Sequence, residues 1–356
     1  MKSNYLPQID FLKAFAIIFV ILMHTIRSEN IPTSVYLFFI VQAVPVFLVI
    51  AGFNWCLSFK NKGLHTLSDA YTKAYFLKNI NRLVMPFSII YLCSLLLGIS
   101  QYFYSGHTGF IFNVYSLIGL LPIPGPGNYF FTIMIELVFI FPVLYLCYLR
   151  KPKFFLLICF IVNIAFELIS PYILSKYVYL YNASALRFLF AISLGMWISN
   201  DYHLSSKSNI PVLIGSIFSI IYLLINTFGY YAIPHFLPNQ HTQNILSFFY
   251  PALLVLVGIT CLPKTVSNNS LNKFIIKLGK ASYHIFLVQM FYFSIICSSF
   301  GPGLFVYFAF GLDSATEFLL AFINLILNET ICILIGLWFY NITSKSIIAN
   351  IKGLSH

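Results

Sequence analysis

Asp10, Lys13 and His24 have the types and spacing to bind an anion and move a proton. They lie in IDFLKAFAIIFVILMH, an apolar stretch with an acid and a cation at its start and a lone histidine at its end. Lys13 and His24 are 11 residues apart. On an α-helix that is three turns plus roughly 20°, so the two side chains share a face. The helical rise sets them about 16 Å apart, about half the hydrocarbon thickness of a bilayer. Asp10 falls within about 60° of the same face. A neutral imidazole can act as a general base or as a nucleophile. An ionisable residue at that depth is a functional candidate by default. The alternative is a histidine that only hydrogen-bonds a neighbouring helix.

Four more ionisable residues fall inside apolar stretches: Glu136, Glu167, Arg187 and Glu329. Each costs at least ~2.5 kcal/mol if left unpaired in a bilayer. Such groups either face a polar cavity or pair with one another, and Glu136 with Arg187 is the simplest structural pair. Lys78 and Arg82, in YFLKNINRLVMPF, stand at i,i+4 on a short helix that Pro86 ends or kinks. Two cations side by side can clamp a phosphate, or they can anchor the chain at the membrane surface. The seven cysteines are scattered, with no CxxC or Cys/His cluster, so neither a disulfide framework nor a metal site is expected. No nucleotide-binding or hydrolase motif is present either.

The elements that position these residues are membrane helices. The 356 residues are 60% hydrophobic and only 8% charged, too few polar side chains to coat a soluble globule. An all-α polytopic membrane protein is expected, one transmembrane domain over residues 1–356 with no separate soluble domain. Apolar windows predict about ten helices, at 9–28, 34–58, 84–104, 129–149, 154–173, 183–200, 211–230, 245–262, 281–300 and 317–341. With both termini in the cytoplasm, seventeen of the twenty Lys and Arg fall on the cytoplasmic side. Arg27, Lys176 and Arg187 fall on the other. That split follows the positive-inside rule and accounts for the net charge of +11 without nucleic acid. The outer loops carry LPIPGPGN within 105–128, His235 and His241 within 231–244, and GPG at the start of 301–316. Gly and Pro make these loops non-helical.

Taken in order, these segments resemble the membrane acyltransferase 3 family of bacterial cell-envelope enzymes. The resemblance rests on Asp10, Lys13 and His24 in the first helix. It extends through VPVFLVIAGF, LKNINRLVMPF, GNYFFTIMIELVFIFPVLY, ALRFLFAISLGMWI and LGKASYHIFLVQMF. The chain has Lys13 where the family usually has arginine, Ala51 where serine is common, and Gln289 where histidine often stands. The last departure implies either that the position is not essential to the chemistry or that the acceptor differs. The resemblance implies O-acyl transfer, commonly of acetyl, from cytoplasmic acyl-CoA to a hydroxyl of a cell-surface glycan across the bacterial inner membrane. His24 and Glu136 are then the catalytic candidates, and Lys13, Lys78 and Arg82 the donor-phosphate ligands. Asp10 and Arg187 have supporting roles. No permanently bound cofactor or metal is implied. Partners are acyl-CoA, the glycan and membrane lipid. The alternative is a transporter or flippase for a polysaccharide or lipid-linked sugar, since intramembrane charges and aromatics also suit a sugar pathway.

Overall fold

The computed structural model describes residues 5–25, 31–104, 113–229, 237, 240–266, 269–299 and 314–353. Lys2, Arg27, His235, the GPG of 301–303 and residues 105–112 of the first long outer loop lie outside the described residues.

Among the described residues the chain is all-α. Each apolar window coincides with a helical stretch. These are α1 (Pro7–Thr25), α2 (Thr33–Lys62), α3 (Lys73–Tyr104), α4 (Tyr129–Arg150), α5 (Pro152–Leu174), α6 (Ala185–Ile198), α7 (Lys207–Phe228), α8 (Phe249–Cys261), α9 (Ser270–Ser299) and α10 (Ser314–Gly353). Seven are long and apolar enough to cross a membrane: α1 to α5, α7 and the Leu319–Ser344 part of α10. The protein is therefore a multi-pass membrane protein. α6 and α8 are apolar but shorter. At 1.5 Å per residue each covers about 20 Å, less than the roughly 30 Å hydrocarbon core. The 30-residue α9 is long enough, but its first turns carry Lys273, Lys277 and Lys280.

Helix directions follow from paired contacts. α1 packs most extensively on α9, and the two run parallel. The backbone of Asp10 abuts Gly279, where an added Cβ would fall 1.9 Å from the Asp10 carbonyl oxygen. Further along, the His24 ring meets Phe293 at 6.0 Å. α2 and α4 are also parallel, with Phe47 on Phe130, Trp55 on Phe141 and Phe59 on Tyr145. α2 packs equally closely on α6. A Cβ on Gly52 would fall 2.1 Å from the Ile192 carbonyl oxygen, and one on Gly195 2.0 Å from that of Val49. Small residues let membrane helices approach this closely. Every residue of Leu189–Ile198 is buried, which places α6 at the centre of the bundle. Neighbours in sequence run antiparallel. Ser216 donates to the Phe249 carbonyl at 2.9 Å and Tyr222 to that of His241 at 2.7 Å, joining α7 to α8 and its leading loop. Tyr292 donates to Asn328 at 2.8 Å and His284 meets Thr343 at 2.9 Å, joining α9 to α10. Leu96, Phe218 and Trp338 are exposed on the perimeter, as lipid-facing side chains of a bilayer protein are.

Pro86 does not end its helix. The stretch from Lys73 runs through a π turn, Ile80–Val84, directly into Met85–Tyr104. The Met85 amide donates to the Ile80 carbonyl, and this wider turn absorbs the register that the proline, lacking an N–H, would break.

Candidate active site

A cavity of about 880 Å³ opens between α1, α2, α3, α4, α9 and α10, within the size range of small-molecule sites. One end is basic, lined by Lys13, Lys78, Arg82 and Lys280. Arg82 sits on the π turn, a helix irregularity often used to redirect a functional side chain. The other end is apolar and aromatic, with Val20, Val44, Phe47, Phe130, Met134 and Phe286. No carboxylate lines the cavity.

The three expected cations are thus brought together, and their settings differ. Lys13 Nζ lies 2.5 Å from Asp10 Oδ1, and Asp10 Oδ2 accepts the Tyr5 hydroxyl at 2.6 Å. Asp10 is itself buried and holds Lys13 at the cavity wall. Lys280 lies over the Tyr5 ring at 5.0 Å. Among the described residues, Lys78, Arg82 and Lys280 have no carboxylate within ion-pair distance. Three cations without acidic partners at one mouth make a strong anion site, since each can give a charge-assisted hydrogen bond to a phosphate.

His24 lies just beyond the apolar end, one helical turn past Val20. Its Nε2 is buried and has no hydrogen-bond partner among the described residues. It is therefore not a histidine tied to a neighbouring helix through that nitrogen. Phe293 packs against the ring.

Glu136 has a backbone partner on another helix. Its Oε2 accepts the Ala185 amide at 2.6 Å, which tethers α4 to the start of α6. Phe130 and Met134 of the same helix line the cavity. Glu136 comes two residues after Met134, about 200° around the helix. Arg187 is fully buried and donates to Asn182 Oδ1, with its guanidinium over Tyr181 at 4.4 Å and Phe188 at 5.0 Å. Tyr181 in turn donates to Glu167 Oε2 at 3.0 Å, which also accepts from Gln240 at 3.2 Å. The intramembrane charges therefore divide. Glu136, Glu167 and Arg187 are built into polar tethers near the α6 start, while His24 Nε2 and both Glu329 carboxylate oxygens stay buried without partners among the described residues.

Lys280 and His284 join the cavity without having stood out in the sequence. Their signal is the i,i+4 spacing within LGKASYHIF, which puts both on one helix face just as Lys78 and Arg82 are placed. His284 is buried, and its Nδ1 has no partner among the described residues.

A multi-pass helical protein whose deep cavity has a cationic mouth and an apolar end is built to hold an amphipathic anion. Residues 6–347 match the profile of the Acyl_transf_3 family, an acyltransferase domain, and the chain belongs to that family. It is accordingly an acyltransferase. Comparison with curated proteins and with solved structures finds no match.

Proposed function

We propose that the protein is an O-acyltransferase that moves an acyl group, most simply acetyl, from cytoplasmic acyl-CoA to a hydroxyl of a cell-envelope glycan. The observation that carries this is the cavity itself, with four cations at one end and an apolar end that stops one helical turn short of His24. The phosphates of CoA sit among Lys13, Lys78, Arg82 and Lys280. The pantetheine arm extends toward the outer half. The spacing of about 16 Å between Lys13 and His24 suits an extended arm. At the far end, neutral His24 takes the proton of the acceptor hydroxyl as its oxygen attacks the thioester carbonyl. The carbon–sulfur bond then breaks, and the CoA thiolate leaves with that proton. An Nε2 with no competing hydrogen bond suits this role.

The directions of the helix pairs described above are consistent with ten crossings and both termini in the cytoplasm. α1 and α9 are parallel, as are α2, α4 and α6 (Glu136 of α4 meets the start of α6, and Tyr148 reaches Asn200 just past its end), while α9 and α10 are antiparallel. Strict alternation through ten helices requires those relations. It puts the basic mouth on the Lys-rich side, consistent with a protein of the bacterial inner membrane. Family membership and a cavity matched to a phosphorylated donor favour catalysis over sugar transport. Mass spectrometry of surface glycans from cells with and without the protein tests the assignment. A mass increase of one acetyl unit per modified sugar is expected only with the protein present, and identical glycans contradict it.

A further inference from the structure

Beyond the apolar end of the cavity, two side-chain amides are buried without a hydrogen-bond partner among the described residues. Gln289 on α9 is fully buried, and neither its Nε2 nor its Oε1 has a hydrogen bond among the described residues. Asn128, which ends the LPIPGPGN loop, is also buried, with Nδ2 and Oδ1 both unpaired. A buried polar atom left unpaired is destabilising, and such groups call for a specific explanation.

The loop lays Gly127, the residue before Asn128, against Gln289. Gly125 presses on α9, where an added Cβ would fall 2.6 Å from the Met290 carbonyl oxygen. Gly127 has φ +78, and a Cβ there would fall 3.2 Å from Phe286 and 3.6 Å from Gln289 Nε2. Phe286 lines the apolar end of the cavity. Phe293, four residues past Gln289, meets the His24 ring. Gln289 therefore sits between the cavity and His24, about 6 Å short of the histidine along the helix.

We propose that Gln289 and Asn128 form a subsite for a secondary amide, and that its occupant is the pantetheine arm of the donor. This rests on the acyl-CoA reading above. Each secondary amide offers one N–H and one carbonyl, and each side-chain amide supplies an acceptor and a donor to match them. The arm carries two secondary amides, the nearer one two methylenes from the sulfur. A thioester placed at His24 sets that amide at the depth of Gln289. An acetamido group on an acceptor sugar has the same chemistry and is the other possible source.

Binding of acetyl-CoA, and of the phosphoadenosine diphosphate half of CoA alone, to the purified full-length protein in detergent tests the proposal. Gln289→Met keeps the side chain's length without its amide. It is expected to weaken acetyl-CoA roughly tenfold and to leave the nucleotide half unchanged, which also reports an intact fold. Gln289→Leu is measured alongside, so that one destabilised protein does not decide the result. Unchanged acetyl-CoA affinity overturns the proposal, including the case where KM for an acetamido-sugar acceptor rises instead. Equal weakening of both ligands in both variants also overturns it. A wild-type protein that binds neither ligand contradicts the acyl-CoA reading itself, and the subsite falls with it.

Discussion

At the scale of single residues, the proposed function divides between charge at the mouth and a proton acceptor beyond the apolar end. Lys78 and Arg82 line the cavity without carboxylate partners among the described residues. Their loss removes binding energy shared by the ground and transition states. Lys78→Ala or Arg82→Ala is expected to raise the KM for acetyl-CoA roughly tenfold or more with little change in kcat. Steady-state kinetics in membranes checks this, and an unchanged donor KM for both returns them to surface anchors. Lys13→Arg should retain activity, because a guanidinium can still pair with Asp10; loss of activity with normal protein level would show that the ammonium itself is required. Part of this site is legible in the sequence, because helical periodicity pairs Lys13 with His24 and Lys78 with Arg82, and the positive-inside pattern assigns all three cations to one membrane face. Gln289 is not. Its meaning depends on a glycine-rich loop lying across α9, and no local pattern encodes which distant loop covers a helix.

At the scale of elements, the central helix is held by close backbone contact and polar tethers. Gly195 leaves no room for a side chain against Val49. Gly195→Ala is expected to cost about 1–3 kcal/mol by overpacking, seen as reduced protein in the membrane and a lower unfolding temperature. Normal accumulation of this variant contradicts the packing described. Glu136 fixes the start of the same helix through the Ala185 amide. Glu136→Gln keeps an acceptor oxygen, so level and activity are expected to stay within a few-fold of wild type, whereas Glu136→Leu strands a buried N–H and lowers the protein level. A Glu136→Gln protein that accumulates normally but transfers no acyl group would restore a catalytic carboxylate. Hydropathy located all ten helical stretches because the signal is additive along each segment. It did not reveal the π turn at Arg82, where Pro86 suggested a break, because a helix can absorb a proline by changing its hydrogen-bond register. Nor did it assign Glu136 to a tether, because sequence does not say which face of α4 meets α6.

At the scale of the whole molecule, the proposed function makes the bundle a two-sided device, taking a charged donor at one face and presenting its acyl group near the other. In a cysteine-free background, cysteines replacing Lys153 and Lys207 are expected to resist a membrane-impermeant maleimide in intact cells, and one replacing Lys176 to react. The reverse pattern inverts the topology. The central claim is that acyl-CoA reaches His24 from the cytoplasmic mouth and that His24 performs the transfer. Inverted membrane vesicles supplied externally with isotope-labelled acetyl-CoA test it most directly. Label is expected on the glycan with the wild-type protein, and none with His24→Ala although that variant still binds acetyl-CoA. Undiminished labelling by His24→Ala, or acetylated glycan carrying no label from acetyl-CoA, would contradict it.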